Sequence, residues 1–452
     1  MFAVTSSGGA NAACQLQQLA EFNVTMDGNE PLVDATIDGH PVKMLVDLGG
    51  WITMLSRPGA TSLGLAEHSL PGTAVELYGV GGKANARYAQ LQDFKVGDID
   101  QPGVRLVVAS DRRFSGLAVG LIGRDILSLG DIDFDFAHGK MRLFKPKDCK
   151  GDEVVYWADG YFMAPIWNAL DRSPIEIPVS LNGYSILAEM DTGSDVTVVT
   201  TASANQARVT PHSERVTPAG LDYGIGPAAV ATSIGDFATF SIGNETVKNA
   251  KLKIGDFFDK DRTMHTGSLI PEKIEGLPDM LLGADFFRAH HVYVARSQGR
   301  IYFTYNGGPI FQIVGPAMAG ELDQVIQRYD QAILLNPNDA ESYAARGEAH
   351  AQKGALDLAI EDYDQAIRLQ PGAGEFYDSR GLIRIRKGDF NGAIGDYDAA
   401  LKIAPRSAVS LFGRGLARRR KGDLAGGDAD LAAAKAIDQA IASSFGRMGL
   451  NP

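Results

Sequence analysis

Up to residue 305 the chain is built of short runs in which apolar and polar residues alternate, such as Val104-Arg105-Leu106-Val107-Val108 and Val292-Tyr293-Val294, punctuated by Gly, Pro, Asn and Asp. A period of two with β-branched enrichment predicts strands, so this part reads as mainly β. From residue 321 the period changes. Apolar positions recur at helical spacing, helices end on Lys-Gly-Asp or Lys-Gly-Ala turns or on a proline, and a helix is predicted over 356–369.

Both parts repeat internally. The β-rich part carries one frame twice. Its first copy is Val46-Asp47-Leu48-Gly49-Gly50, Tyr78-Gly79-Val80-Gly81, Phe94-Lys95-Val96-Gly97 and Leu121-Ile122-Gly123-Arg124-Asp125. Its second is Met190-Asp191-Thr192-Gly193-Ser194, Tyr223-Gly224-Ile225-Gly226, Phe240-Ser241-Ile242-Gly243 and Leu281-Leu282-Gly283-Ala284-Asp285. The copies lie 144 residues apart at Asp47 and Asp191 but 160 apart at Gly123 and Gly283, which predicts an insertion within 255–279, a loop able to overhang a cleft. The helical part repeats every 34 residues, at Tyr329, Tyr363 and Tyr397, at Pro337, Pro371 and Pro405, and at Gly347, Gly381 and Gly415. Its first unit supplies only a second helix, 322–335, and Gln439 stands where the last proline would fall, as in the atypical end units of a capped solenoid.

These periods divide the chain into an N-terminal segment (1–29), a first lobe (30–148), a connection (149–174) holding a strand or two, a second lobe (175–306), a linker (307–320) and a helical array (321–450). A length of 452 residues fits several cores better than one.

Asp191-Thr192-Gly193-Ser194, flanked by apolar runs, together with the later Gly123 and Gly283 that each follow two apolar residues, resembles the retropepsin-like aspartic proteases. More closely, the duplicated frame resembles the bacterial-type, single-chain, pepsin-like bilobal form, in which two retroviral-protease-like halves are fused. The 34-residue units resemble tetratricopeptide (TPR) repeats. The resemblance implies a multidomain chain: an all-β double-lobed acid-protease fold followed by an all-α TPR solenoid.

It also implies an aspartic endopeptidase that needs no cofactor or metal, in which Asp47 and Asp191 hold a water between them, one as base and one as acid. Two carboxyl groups brought close cannot readily both ionise, so they share a proton. Gly49, Thr192, Gly193 and Ser194 are implied to support the active-site loops. Tyr78, Gly79, Val80 and Gly81, with Tyr223, Gly224, Ile225 and Gly226, stand at the two flaps, where glycine permits a tight, movable turn. Each flap sequence mimics a dinucleotide-binding fingerprint, but no long helix pattern follows either.

Leu48 departs from the family's Thr or Ser and removes half of a hydroxyl brace, so a weak or inactive protease-fold scaffold that binds proteins is the alternative. Ser194 is expected to hydrogen-bond Asp191 and mark it as the base. Asp125 and Asp285 read as caps or braces of the short helices after the landmark glycines. Trp51 reads as core packing and His290-His291 as structural, since no third metal ligand is suitably spaced.

A net charge of −12 argues against a nucleic-acid partner. No apolar run suffices for a membrane span. The implied partners are a polypeptide substrate and a protein or peptide in the repeat groove, with self-association or shielding of the cleft as a further role for the repeats. Arg414, Arg418, Arg419, Arg420 and Lys421 are read as a solvated helix face rather than a site for an acidic segment. Cys14 and Cys149 bracket the first lobe and are either paired, which needs an oxidising compartment, or two free thiols. With the Ala10-Asn11-Ala12 sequence resembling the end of a secretory signal, they favour a periplasmic or secreted location over a cytoplasmic one.

Overall fold

The computed structural model describes residues 14–69, 76–79, 82–110, 113–149, 154–167, 173–210, 213, 216–222, 230–257, 263–264, 272–273, 278–308, 310–311, 319–438, 441–442, 445 and 450. The Ala10-Asn11-Ala12 sequence and most of the expected insertion lie outside them. Within 255–279, two short paired strands are described, Thr263–Met264 and Glu272–Lys273.

The two copies fold alike. In the first, the hairpin Glu30–Ile37 and His40–Val46 leads to the Asp47 loop, and Ala118–Ile122 returns parallel to His40–Val46. In the second, Glu176–Leu181 and Tyr184–Met190 lead to the Asp191 loop, and Met280–Leu282 returns parallel to Tyr184–Met190. These central strands end in apolar residues, Glu189 excepted, because both faces are covered, and Met44, Val46, Ala188, Met190 and Leu282 are all buried.

The copies are joined through a sheet contributed by both. Asp131–Asp135 of the first pairs antiparallel with His290–Ala295 of the second. The strand Phe162–Pro165 from the connection adds to the edge at Arg300–Tyr305, while Gln15–Asp27 pairs with Lys140–Lys147 on the other side. At that outer margin Cys14 and Cys149 form a disulfide.

The two histidines that open the strand His290–Ala295 are enclosed. His290 stacks on Phe286 with ring centroids 4.2 Å apart and meets Glu245 at 3.2 Å, whereas His291 meets Asp133 at 2.5 Å and stacks on Trp157. No group of three metal-ligating side chains occurs among the described residues.

After residue 318 the chain is helical. Ala319–Leu335 precedes three antiparallel pairs, Ala340–Gln352 with Leu356–Leu369, Gly374–Lys387 with Phe390–Ile403, and Ala408–Lys421 with Leu424–Ile437. Arg346, Arg380 and Arg414 recur at the same point of each unit. Each bridges the aspartates sixteen residues before and after it, as Arg380 does with Asp364 and Asp396. In the basic cluster Arg414 and Arg418 are held by Asp430, and Arg419 by Asp428. Most of that cluster's charge is therefore paired within the array. The array touches the first lobe where Arg113 approaches Asp339 at 3.7 Å and where Gly116 lies against the ring of Tyr329. Among the described residues no helix is long and apolar enough to cross a membrane.

Candidate active site

Each aspartate is the first residue beyond a buried strand. The N–H of Asp47 donates to the Ile122 carbonyl at 3.0 Å and that of Asp191 to Leu282 at 2.9 Å. Each loop then passes under the short helix that follows. Arg124 N–H donates to the Gly50 carbonyl and Ala284 N–H to Ser194, both at 2.8 Å. The same threading thus places Asp47 and Asp191 about a pseudo-twofold axis.

Gly49 lies against the carboxyl of Asp191, and Gly193 against that of Asp47. A Cβ added at these positions would come within 2.6 and 2.5 Å of the opposing carboxyls, so only glycine lets the loops meet there. The Gly50 N–H donates to Asp47 Oδ1 at 2.8 Å, and the N–H groups of Gly193 and Ser194 donate to Asp191 Oδ1 at 3.0 and 3.3 Å.

The two carboxyls also hydrogen-bond each other. Burial and then the charge of Asp191 hold the Asp47 carboxyl well above the ordinary range. Burial raises Asp191 too, but the hydrogen bond from Asp47, the two backbone N–H groups and the nearby Arg124 pull it back. Of the two, Asp47 is held the higher, the direction expected of the member that keeps a shared proton.

The hydroxyl of Ser194 does not make the bond expected of it. It donates to the Val196 carbonyl at 2.8 Å, along its own loop, and the backbone N–H of Ser194 serves Asp191 instead. Thr192 accepts from Leu48 N–H at 3.0 Å and donates to the Val46 carbonyl at 2.8 Å. Leu48, fully buried in the core, returns no such bond.

Asp125 and Asp285 act as braces and not as caps. Thr53 donates its N–H and hydroxyl to Asp125, Thr197 does the same to Asp285, and neither short helix has a side-chain cap. Of the flaps, Tyr78 and Gly79 close the strand Glu76–Gly79, which pairs with Gly82–Asn85. Val80 and Gly81 lie outside the described residues, as do Tyr223, Gly224, Ile225 and Gly226, which fall between the paired strands Val216–Asp222 and Val230–Ile242.

Trp51 departs from expectation. It is 56% exposed, four residues beyond Asp47, because the loop that carries it turns outward from the core. Two site residues were not anticipated at all, Arg124 and Glu189. Arg124 Nη1 donates to the carbonyls of Leu48 at 2.9 Å and Gly49 at 3.1 Å, and to Glu189 Oε1 at 3.3 Å. The available signals were a carboxylate in the otherwise apolar run 186–190 and an arginine where the second copy has Ala284.

Residues 33–126 and 177–286 match the family described as Aspartyl protease. Residues 319–354 match a TPR repeat, and 340–372 and 379–444 match tetratricopeptide repeats. The chain joins an aspartyl-protease-type double lobe to a TPR array. No curated protein matches it. Solved structures similar to part of it include the crystal structure of MamA protein (23% identity, 27% of this chain, 68% of that chain, TM-score 0.25). A second, the crystal structure of MamA, has 23% identity over 27% of this chain and 72% of that chain, with a TM-score of 0.26. Scores this low carry no argument about the double lobe or its chemistry.

Proposed function

We propose that the double lobe is an aspartic endopeptidase acting on extended polypeptides, with Asp191 as base and Asp47 as acid. The observation that carries this reading is the meeting of Asp47 and Asp191 on equivalent loops, their carboxyls hydrogen-bonded to each other. A water held by both carboxyls loses a proton to Asp191 and attacks the scissile carbonyl, while Asp47 donates its proton to the carbonyl oxygen. The substrate lies as an added strand under the two flaps. Trp51, exposed beside Asp47, offers an apolar face to one of its side chains.

The TPR array supplies protein recognition, holding a substrate protein or a partner near the lobes. The Cys14–Cys149 disulfide supports a periplasmic or secreted setting, since such bonds persist in oxidising compartments. Leu48 favours a second reading, a protease-fold scaffold with feeble catalysis.

Hydrolysis of an unfolded protein over about pH 3 to 8, by the chain and by its Asp191→Asn variant, separates the two. Cleavage that disappears in the variant supports the endopeptidase. Equal inactivity of both supports the scaffold.

A further inference from the structure

The double lobe is symmetric in its threading but not in what holds the two catalytic loops. On the Asp191 side Thr192 reaches across and grips Val46 and Leu48. The reciprocal grip is missing, because Leu48 has no hydroxyl. A second asymmetry stands next to the first. Arg124 and Glu189 occur once each, their counterparts in the frame being Ala284 and Leu45.

Both are enclosed, with 6% and 9% of their surface exposed, and they meet at 3.3 Å between the lobes. A buried ion pair costs desolvation that its attraction barely offsets, so its presence calls for a reason other than stability. Here the guanidinium also accounts for two carbonyls, the buried one of Leu48 and the part-buried one of Gly49. Gly49 is the residue packed against the carboxyl of Asp191. One cation thus fixes the Asp47 loop from below, ties it to the strand that carries Asp191, and sits near both carboxyls.

We infer that Arg124 and Glu189 form a positioning pair that replaces the half of the threonine brace lost at Leu48 and holds the two catalytic loops in register. The inference deepens the endopeptidase reading and rests on it. Around the pair the charged groups are Asp47, Asp191 and Glu176. Burial and then the neighbouring Asp191 push the Glu189 carboxyl up to about 7 against the pull of Arg124, so Glu189→Gln keeps the shape, mimics the neutral form below that pH and removes the charge above it.

The experiment is a double-mutant cycle between Arg124→Gln and Leu48→Thr, with Glu189→Gln as a milder third variant. Arg124→Gln should lower kcat by about 10- to 100-fold with KM changed less than about twofold, since loss of register is felt at the chemistry and not in binding. In the Leu48→Thr background, where a second hydroxyl is restored, the same substitution should cost less than about threefold. Equal losses in both backgrounds overturn the inference.

A second measurement does not depend on turnover. The titration of Asp47 and Asp191, followed by carboxyl carbon NMR, should move upward in Arg124→Gln because a cation that favours their charged forms is gone. An unmoved titration in a folded variant also overturns the inference. If the unmodified chain cleaves nothing, the endopeptidase reading fails, while the titration still reports on the pair.

Discussion

The hydroxyl of Thr192 crosses the junction of the lobes, accepting from the Leu48 N–H at 3.0 Å and donating to the Val46 carbonyl at 2.8 Å. With Leu48 on the other side, this single side chain does work that two would share in a symmetric site. Thr192→Val keeps the shape and removes the hydroxyl. It strands a buried donor and a buried acceptor, at a cost of about 1–3 kcal/mol each. Denaturant unfolding should show a loss of that order, with peptide hydrolysis reduced about 100-fold because the loops shift relative to each other.

The pH dependence follows from where the proton sits. On the endopeptidase reading, activity requires one proton on the pair. It should fall on the acid side as Asp191 is protonated and on the alkaline side as Asp47 loses its proton. Both carboxyls are raised, Asp47 more strongly, by burial and by the charge of Asp191. The alkaline limb of kcat/KM should therefore lie well above the usual carboxylate range. A limb near the pKa of a free aspartate would show that the pair does not share a proton.

Two further carboxyls make stability itself sensitive to pH. Burial pushes both Glu189 and Asp285 up to about 7. A folded state that binds a proton more tightly than the unfolded chain gains stability that is fully present below about pH 4, the unfolded range, and is lost as pH rises through 7. Each group contributes at most about 3–4 kcal/mol. The urea midpoint should accordingly be lower at about pH 8 than at about pH 5, and a midpoint that rises would contradict this account.

The disulfide closes almost the whole first lobe. Cys14 and Cys149 are separated by 135 residues, a loop long enough that cross-linking should remove about 4–5 kcal/mol of unfolded-chain entropy in the simple chain model. Replacing both by serine should lower the melting temperature of the lobes by several degrees and leave TPR helicity intact by circular dichroism.

Trp51 follows Asp47 by four residues with more than half of its surface open. A peptide bound to the inactive Asp191→Asn variant should shift its emission. Trp51→Ala should raise KM several-fold, about 5- to 10-fold, with kcat little changed, since one aromatic contact is worth about 1–2 kcal/mol. An unchanged KM would return Trp51 to the role of an incidental surface residue.

Much of this protein is written in its periods. The recurrence of one frame 144 residues on predicts two lobes and two facing aspartates, and the 34-residue recurrence with its glycines and prolines predicts a TPR array. Such patterns are legible because strand, turn and helix preferences act over a few residues, and duplication repeats them in order. What the chain does across its axis was not legible. The sequence left Cys14 and Cys149 undecided, pointed the Ser194 hydroxyl at the wrong acceptor and buried Trp51. It gave no sign that Arg124 and Glu189, 65 residues apart, would meet beneath the Asp47 loop. The first three depend on how each loop and margin packs in three dimensions, and the last on which surfaces the two halves present to each other, and local propensity carries no information about either. Only the packed structure decides where a buried guanidinium finds its carboxylate.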